Sequence, residues 1–272
     1  MSSPKRNIVT FLVLTFGLSS IFYTLIIRAG TLGAGHGLYV LGLMWCPGTA
    51  GMLTSLIYTR SLRGMGWGLG KPKWLVMAYL LPLAYAAVAY GIVWAGGWGA
   101  FTTANLPAGT GMGKFVAGAA TLGVLQSLIS ATGEEIGWRG YLVPQLSKVT
   151  GFTGTALISS GIWAFWHTPV LLFADYNSGT PWWFGLTCFA VMVLGIGTAF
   201  AWIRLKSGSL WTGALLHASH NLFIQGVFDR MTANTGHTAW ITGEFGIALA
   251  LAAVVVGVTF WTKRDALPTE QG

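Results

Sequence analysis

Apolar residues run along this chain in stretches near or above the roughly 18–20 residues that cross a bilayer as a helix, each bounded by charge, Gly or Pro. The pattern predicts eight spans, at about 8–27, 38–59, 74–95, 115–143, 152–173, 182–203, 208–228 and 238–262. No stretch is left over for a soluble domain, so the expectation is an all-α polytopic membrane protein, a single transmembrane domain over residues 1–272. The first span follows Lys5 and Arg6 as a signal peptide would. Its apolar run exceeds the usual ~7–15 residues, and it reads as a retained helix.

Composition sharpens this picture. The chain is 54% hydrophobic and 8% charged, against roughly 25% charged in soluble domains. A net charge of +8 could suggest nucleic acid, but the Lys and Arg residues sit in the gaps between spans and report orientation instead. Alternate gaps divide them into Lys5, Arg6, Arg60, Arg63, Lys71, Lys73, Lys148, Arg204, Lys206, Lys263 and Arg264 on one side, and Arg28, Lys114 and Arg230 on the other. Eleven against three places both termini in the cytoplasm of a plasma-membrane protein, and an even number of spans allows it. Trp74, Trp98, Trp182, Trp183 and Trp261 fall at span ends as an interfacial belt. Cys46 and Cys188 lie inside apolar runs and read as small buried hydrophobes. The longest gap, about 96–114, is rich in Gly and Thr and reads as a re-entrant or mobile loop; no internal repeat is visible.

Candidate chemistry sits where polar residues contradict their surroundings. The fourth span ends in Gly133-Glu134-Glu135-Ile136-Gly137-Trp138-Arg139, two carboxylates and a guanidinium in an apolar helix. Each such charge costs about 2.5–3.5 kcal/mol at mid-bilayer, so all three must face the protein interior. Glu135 and Arg139 are i and i+4, an ion-pair spacing that makes the helix tolerable. Glu134 points about 100° away with no such partner, as a general base would. His167 lies in the fifth span, while His217, His220 and Asn221 lie in the seventh. His217 and Asn221 share a face and His220 is offset from it. Counted from the cytoplasmic gaps, Glu134, His167 and His217 sit ~15–22 Å deep, predicting a midplane site. His36 and His237 fall in outer loops and read as surface residues.

Glu-Glu-x-x-x-Arg, then aromatic-x-x-x-His, then His-x-x-x-Asn, each on its own span, resembles the CAAX protease and bacteriocin-processing family of intramembrane endopeptidases, which includes the type II CAAX prenyl endopeptidases. The resemblance covers about residues 115–225. It implies that Glu134 is the catalytic base, that His167 holds and polarises the attacking water, and that His217 and Asn221 stabilise the oxyanion; Glu135 and Arg139 match the remaining family positions. The second motif usually starts with Phe where this chain has Trp163, a position read as packing rather than chemistry.

The expected activity is therefore hydrolysis of a peptide bond in a membrane-associated or lipidated peptide or protein, with the lipid bilayer and no nucleic acid as the surroundings. No cofactor is expected. The alternative is zinc held by His167, His217 and Glu134, disfavoured because His-Glu-x-x-His is absent and Asn221 is a poor zinc ligand. Rival readings are a proton-coupled transporter, whose relays also use midplane Glu, Arg and His, and a non-catalytic regulatory member of the same family.

Overall fold

The computed structural model describes residues 3–268; the extreme termini, assigned to the cytoplasm by the charge count, lie outside the described residues. Helices α1 (Pro4–Ala29), α2 (Leu38–Thr59), α3 (Pro72–Ala95), α4 (Met112–Ser147), α5 (Phe152–Phe173) and α6 (Trp182–Ser207) are each long and apolar enough to cross a membrane. Two shorter helices pack with these six. Helix α7 (Leu210–Asn221) continues through the π-helical turn Leu222–Phe228, and α8 (Ile247–Thr262) is 16 residues long. Large apolar side chains such as Val13, Leu122, Leu125, Ile129 and Val255 are exposed on the outer faces of these helices, as a lipid solvent permits.

Backbone and side-chain bonds show which connections share an end of the bundle. At one end, Leu210 N–H donates to Gly66 O (2.9 Å), the Trp211 indole to Trp67 O (2.7 Å) and the Trp202 indole to Lys263 O (2.9 Å). This end gathers the start of α1, the α2–α3, α4–α5 and α6–α7 connections and the end of α8, and with them the eleven basic residues. At the opposite end, Asp175 accepts from Thr31 Oγ1 and from Leu32 N–H, both at 2.7 Å. There the strand β1 (Ala100–Phe101) pairs antiparallel with β2 (Thr232–Ala233), so the Gly- and Thr-rich gap after α3 is pinned to the α7–α8 connection.

Small residues bring the helices together around the polar segment. A Cβ on Gly48 of α2 would lie 2.4 Å from the Gly133 carbonyl oxygen, and one on Gly137 2.4 Å from the carbonyl carbon of Pro47. Helices α2 and α4 therefore cross backbone to backbone beside Glu134 and Glu135, as small residues four apart allow. A Cβ on Gly213 would sit 2.8 Å from Glu135 Oε2, so α7 can reach the carboxylate only with glycine there.

The expected eighth span, 238–262, is corrected. Residues Thr238–Ile241 form a single turn, the chain then folds through Thr242–Gly246 with Gly243 at a left-handed φ of 72°, and the spanning helix begins at Ile247. The break turns Glu244 inward, where its carboxylate finds three donors; a continuous helix would have carried that charge into the apolar layer.

Candidate active site

Three helices supply the candidate site residues singled out in the sequence: α4 gives Glu134, Glu135 and Arg139, α5 gives His167, and α7 gives His217 and Asn221. In α4 the α-helical segment Val124–Glu135 ends at the carboxylate pair and loosens into the π-helical turn Ile136–Leu142, a geometry common at functional sites. Glu135 Oε1 accepts from Arg139 Nη1 at 2.7 Å and faces His217 Nδ1 at 3.0 Å, all three side chains being buried. The Arg139 guanidinium lies 4.3 Å above the Trp163 ring and 4.1 Å from the Phe200 ring centre, so its faces are covered by aromatic rings while its edge holds the carboxylate. The i, i+4 ion pair expected from spacing is thus present, with His217 added to it.

Glu134 is fully buried but not without partners, which corrects the sequence reading twice. Its Oε2 accepts from the indole N–H of Trp163 at 2.7 Å and from that of Trp138, four residues on, at 3.3 Å. Trp163 therefore contributes a hydrogen bond as well as packing. Glu134 Oε1 has no hydrogen-bonding partner among the described residues.

The three motifs meet in one cavity of about 560 Å³, whose wall includes Glu134, Trp163, His167, His217, His220 and Asn221. His167 Nδ1 lies 2.9 Å from the Trp163 carbonyl oxygen. A carbonyl can only accept, so Nδ1 carries the proton and Nε2 keeps its lone pair. Asn221 makes no side-chain hydrogen bond to another described residue. The apolar part of the wall comes from α2 (Val40, Leu43, Met44), α5 (Val170) and α6 (Phe189, Met192, Val193, Ile196).

A second polar cluster in the same wall was not singled out from sequence. His220 is buried between the Tyr85 hydroxyl, which bonds its Nδ1, and Glu244 Oε1, 3.0 Å from its Nε2. Glu244 Oε2 accepts from Tyr176 (2.7 Å) and Gln225 (2.9 Å). Burial alone would raise the Glu244 carboxyl, but the bonds from His220 and Tyr176 and the nearby imidazoles hold it below its ordinary value. Asp229, at the end of the π-helical turn after α7, is pushed up to about 6 by burial with the charge of Glu244 adding to it, against the opposing bond from Tyr90. The signal for Glu244 was the one that identified Glu134, a carboxylate inside an apolar run. His36 and His237 are exposed, as expected.

A zinc site would require donors that converge. Among the described residues no three His, Cys, Asp or Glu side chains gather in that way.

Residues 116–223 match the family model described as type II CAAX prenyl endopeptidase Rce1-like. The chain is also similar to "CAAX prenyl protease 2" of Methanococcus maripaludis, 26% identical over 136 residues that cover 47% of this chain and 46% of that protein. It thus spans about half the length of that curated relative. The matched segment runs from α4 to the turn after α7 and contains all three motifs, so over this segment the chain is similar to the type II CAAX prenyl endopeptidases.

Proposed function

We propose that this protein is an intramembrane endopeptidase of the CAAX prenyl endopeptidase type, hydrolysing a peptide bond of a membrane-associated or lipidated substrate with water activated by Glu134 and without a metal. The observation that carries the reading is the state of Glu134: one carboxylate oxygen is held by two indoles, and the other is buried, unpartnered and part of a cavity wall shared with His167 and Asn221. A buried carboxylate oxygen left unsatisfied costs about 1–3 kcal/mol or more, a cost that a bound water donating to it removes. His167 Nε2, an acceptor by virtue of its Nδ1 bond, takes the water's other proton as a hydrogen bond and orients the oxygen lone pair. Glu134 Oε1 takes the proton as the water attacks the scissile carbonyl, and returns it to the leaving amine as the tetrahedral intermediate collapses and the C–N bond breaks.

The developing oxyanion meets His217 and Asn221. Two carboxylates and one guanidinium leave the buried cluster one negative charge in excess, which an imidazolium at His217 balances. Held at Nδ1 by Glu135, that imidazolium donates from Nε2, and the free amide of Asn221 supplies a second donor one turn along the same face of α7. Such donors act in a site where little reorganisation is needed. Glu135 and Arg139 serve by fixing His217.

The test replaces only the base. Terminal peptides of membrane proteins are compared between cells producing wild-type protein and Glu134→Gln, which keeps the shape and both indole bonds. Loss of a defined set of cleavages, with unchanged folded yield in detergent, is expected. Cleavage by Glu134→Gln at near the wild-type rate would remove the assignment.

A further inference from the structure

The break before α8 brings two side chains up to the cavity that holds Glu134. Its turn, residues 242–246, is anchored by Tyr90 of α3, whose hydroxyl accepts from the Gly243 N–H at 3.0 Å and donates to Asp229. From this turn Glu244 enters the cavity wall and Phe245 packs behind it, both buried. Neither lies within residues 116–223, the segment matched by the family model. The two donors that α7 and its π-helical turn offer to Glu244 bracket Asn221: His220 precedes it by one residue and Gln225 follows it by four. Because the helix loosens into the π-helical turn directly after Asn221, bonds from outside the helix are needed to hold that residue at a fixed place.

The third donor to Glu244 is the hydroxyl of Tyr176, from the α5–α6 connection, at 2.7 Å. The Tyr176 ring lies 6.1 Å from the imidazole of His167, and the ring of Phe189 lies 5.1 Å from it. Phe245 backs both, edge-on to Tyr176 at 5.1 Å and stacked on Phe189 at 5.7 Å. The Trp163 carbonyl fixes which nitrogen of His167 carries the proton. Rotation about the last side-chain bond of a histidine is otherwise broad, so the flanking rings decide where Nε2 points. A carboxylate only accepts, at about four lone-pair positions, and is therefore suited to gather three donors from separate elements at one place.

We infer that Glu244 is a positioning residue of the active site: its carboxylate ties the α7 segment that carries Asn221 to the rings that orient His167, and Phe245 supports those rings from behind. The inference rests on the peptidase reading for the roles of Asn221 and His167, and on the bonds of Glu244 and the ring contacts of Phe245 for the link between them. The oxyanion donor and the water-orienting imidazole must be held in register with each other, since a misplacement of about 1 Å costs up to roughly 10²-fold in rate. One buried carboxylate bonded to both sides supplies that register.

Kinetics and a spectroscopic signal test this. With the purified full-length protein and a membrane-anchored substrate, well below the melting temperature of each variant, Glu244→Ala should lower kcat roughly 10- to 10²-fold with KM changed little. Glu244→Gln should recover most of the loss, because its oxygen still accepts from Tyr176 and Gln225 and its amide donates to the other tautomer of His220. Residues that act together are not additive, so Glu244→Ala combined with Asn221→Ala should cost less than the product of the two separate losses. If Glu244→Ala does not fold, Tyr176→Phe keeps the ring, removes only the bond to Glu244, and should lower kcat several-fold. A wild-type kcat in the folded variant, or losses that multiply in full, overturns the inference. The second readout needs no substrate: in histidine-labelled protein, the imidazole resonance of His167, assigned by its loss in His167→Gln, should shift in Phe245→Leu, and an unmoved resonance also overturns the link. Cleavage that depends on Glu134 but not on Glu244 sinks this inference alone. If no cleavage depends on Glu134, the peptidase reading fails, while the histidine signal still decides whether the turn holds the imidazole.

Discussion

The indole N–H of Trp163 lies 2.7 Å from Oε2 of Glu134, so the aromatic residue that opens the second motif holds the carboxylate that ends the first. Hydrogen bonds to a charged group are worth about 1.5–3 kcal/mol, roughly twice a neutral one. This bond fixes which oxygen of Glu134 is engaged and which faces the cavity. It also links α4 to α5 at the level of the chemistry.

Trp163→Phe keeps the ring against Arg139 and His217 and removes only the donor. Folded yield should change little, and kcat should fall roughly 10- to 10²-fold with KM nearly constant, because the lost bond to the charged base is worth about 1.5–3 kcal/mol. Measuring both constants on a purified membrane-anchored substrate decides it. A change confined to KM would mean that Trp163 shapes the pocket and does not position the base.

Helix pitch alone places His220 off the face shared by His217 and Asn221. Its partners argue that His220→Ala acts on stability. Truncation leaves the Tyr85 hydroxyl and Glu244 Oε1 without their bond in a buried site, at a cost of about 1–3 kcal/mol for each group left unpaired. A lower melting temperature in detergent is expected, with His220→Gln recovering part of the loss. Equal thermal stability of His220→Ala and wild type would show that water replaces the imidazole.

Much of this arrangement was legible beforehand. Helical spacing alone pairs Glu135 with Arg139 and puts His217 and Asn221 on one face, because those contacts lie within a helix or follow from its pitch. Counting depth from the gaps brought Glu134, His167 and His217 to one level, and they line one cavity. What spacing could not supply was contact between helices. The Trp163 bond to Glu134, the His217 bond to Glu135 and the placement of Glu244 beside His220 depend on how α4, α5, α7 and the α7–α8 connection pack. The break before Ile247 was missed for a related reason: hydropathy over 238–262 is high on both sides of Glu244, and only the tertiary bonds to its carboxylate explain why the helix starts late.

Asn221→Ala tests the oxyanion assignment. Its amide has no other side-chain partner among the described residues, so its removal should strand nothing in the resting protein. An interaction made only in the transition state alters kcat and leaves KM almost unchanged. A fall in kcat of roughly 10²–10³ is expected, the scale for one oxyanion donor. An effect on KM alone would move Asn221 to substrate binding.

Asp229 gives the protein a pH dependence that can be read without a substrate. Its folded-state value of about 6, raised from 3.8 by burial and by the nearby charge of Glu244, means that folding favours the protonated carboxyl. That contribution to stability is complete below about pH 4 and is lost as the pH rises through about 6. Asp229→Asn keeps an acceptor for the Tyr90 hydroxyl and stays neutral throughout. The melting temperature of the variant minus that of wild type should therefore increase between pH 4 and pH 6 and level off above it. The depressed value of Glu244 acts below its ordinary 4.5 and has the opposite sign, so it does not produce the rise toward pH 6. A difference that stays flat across this range would mean that water reaches Asp229 and that the α7–α8 connection is looser than the bonds of Asp229 and Gly243 to the Tyr90 hydroxyl imply.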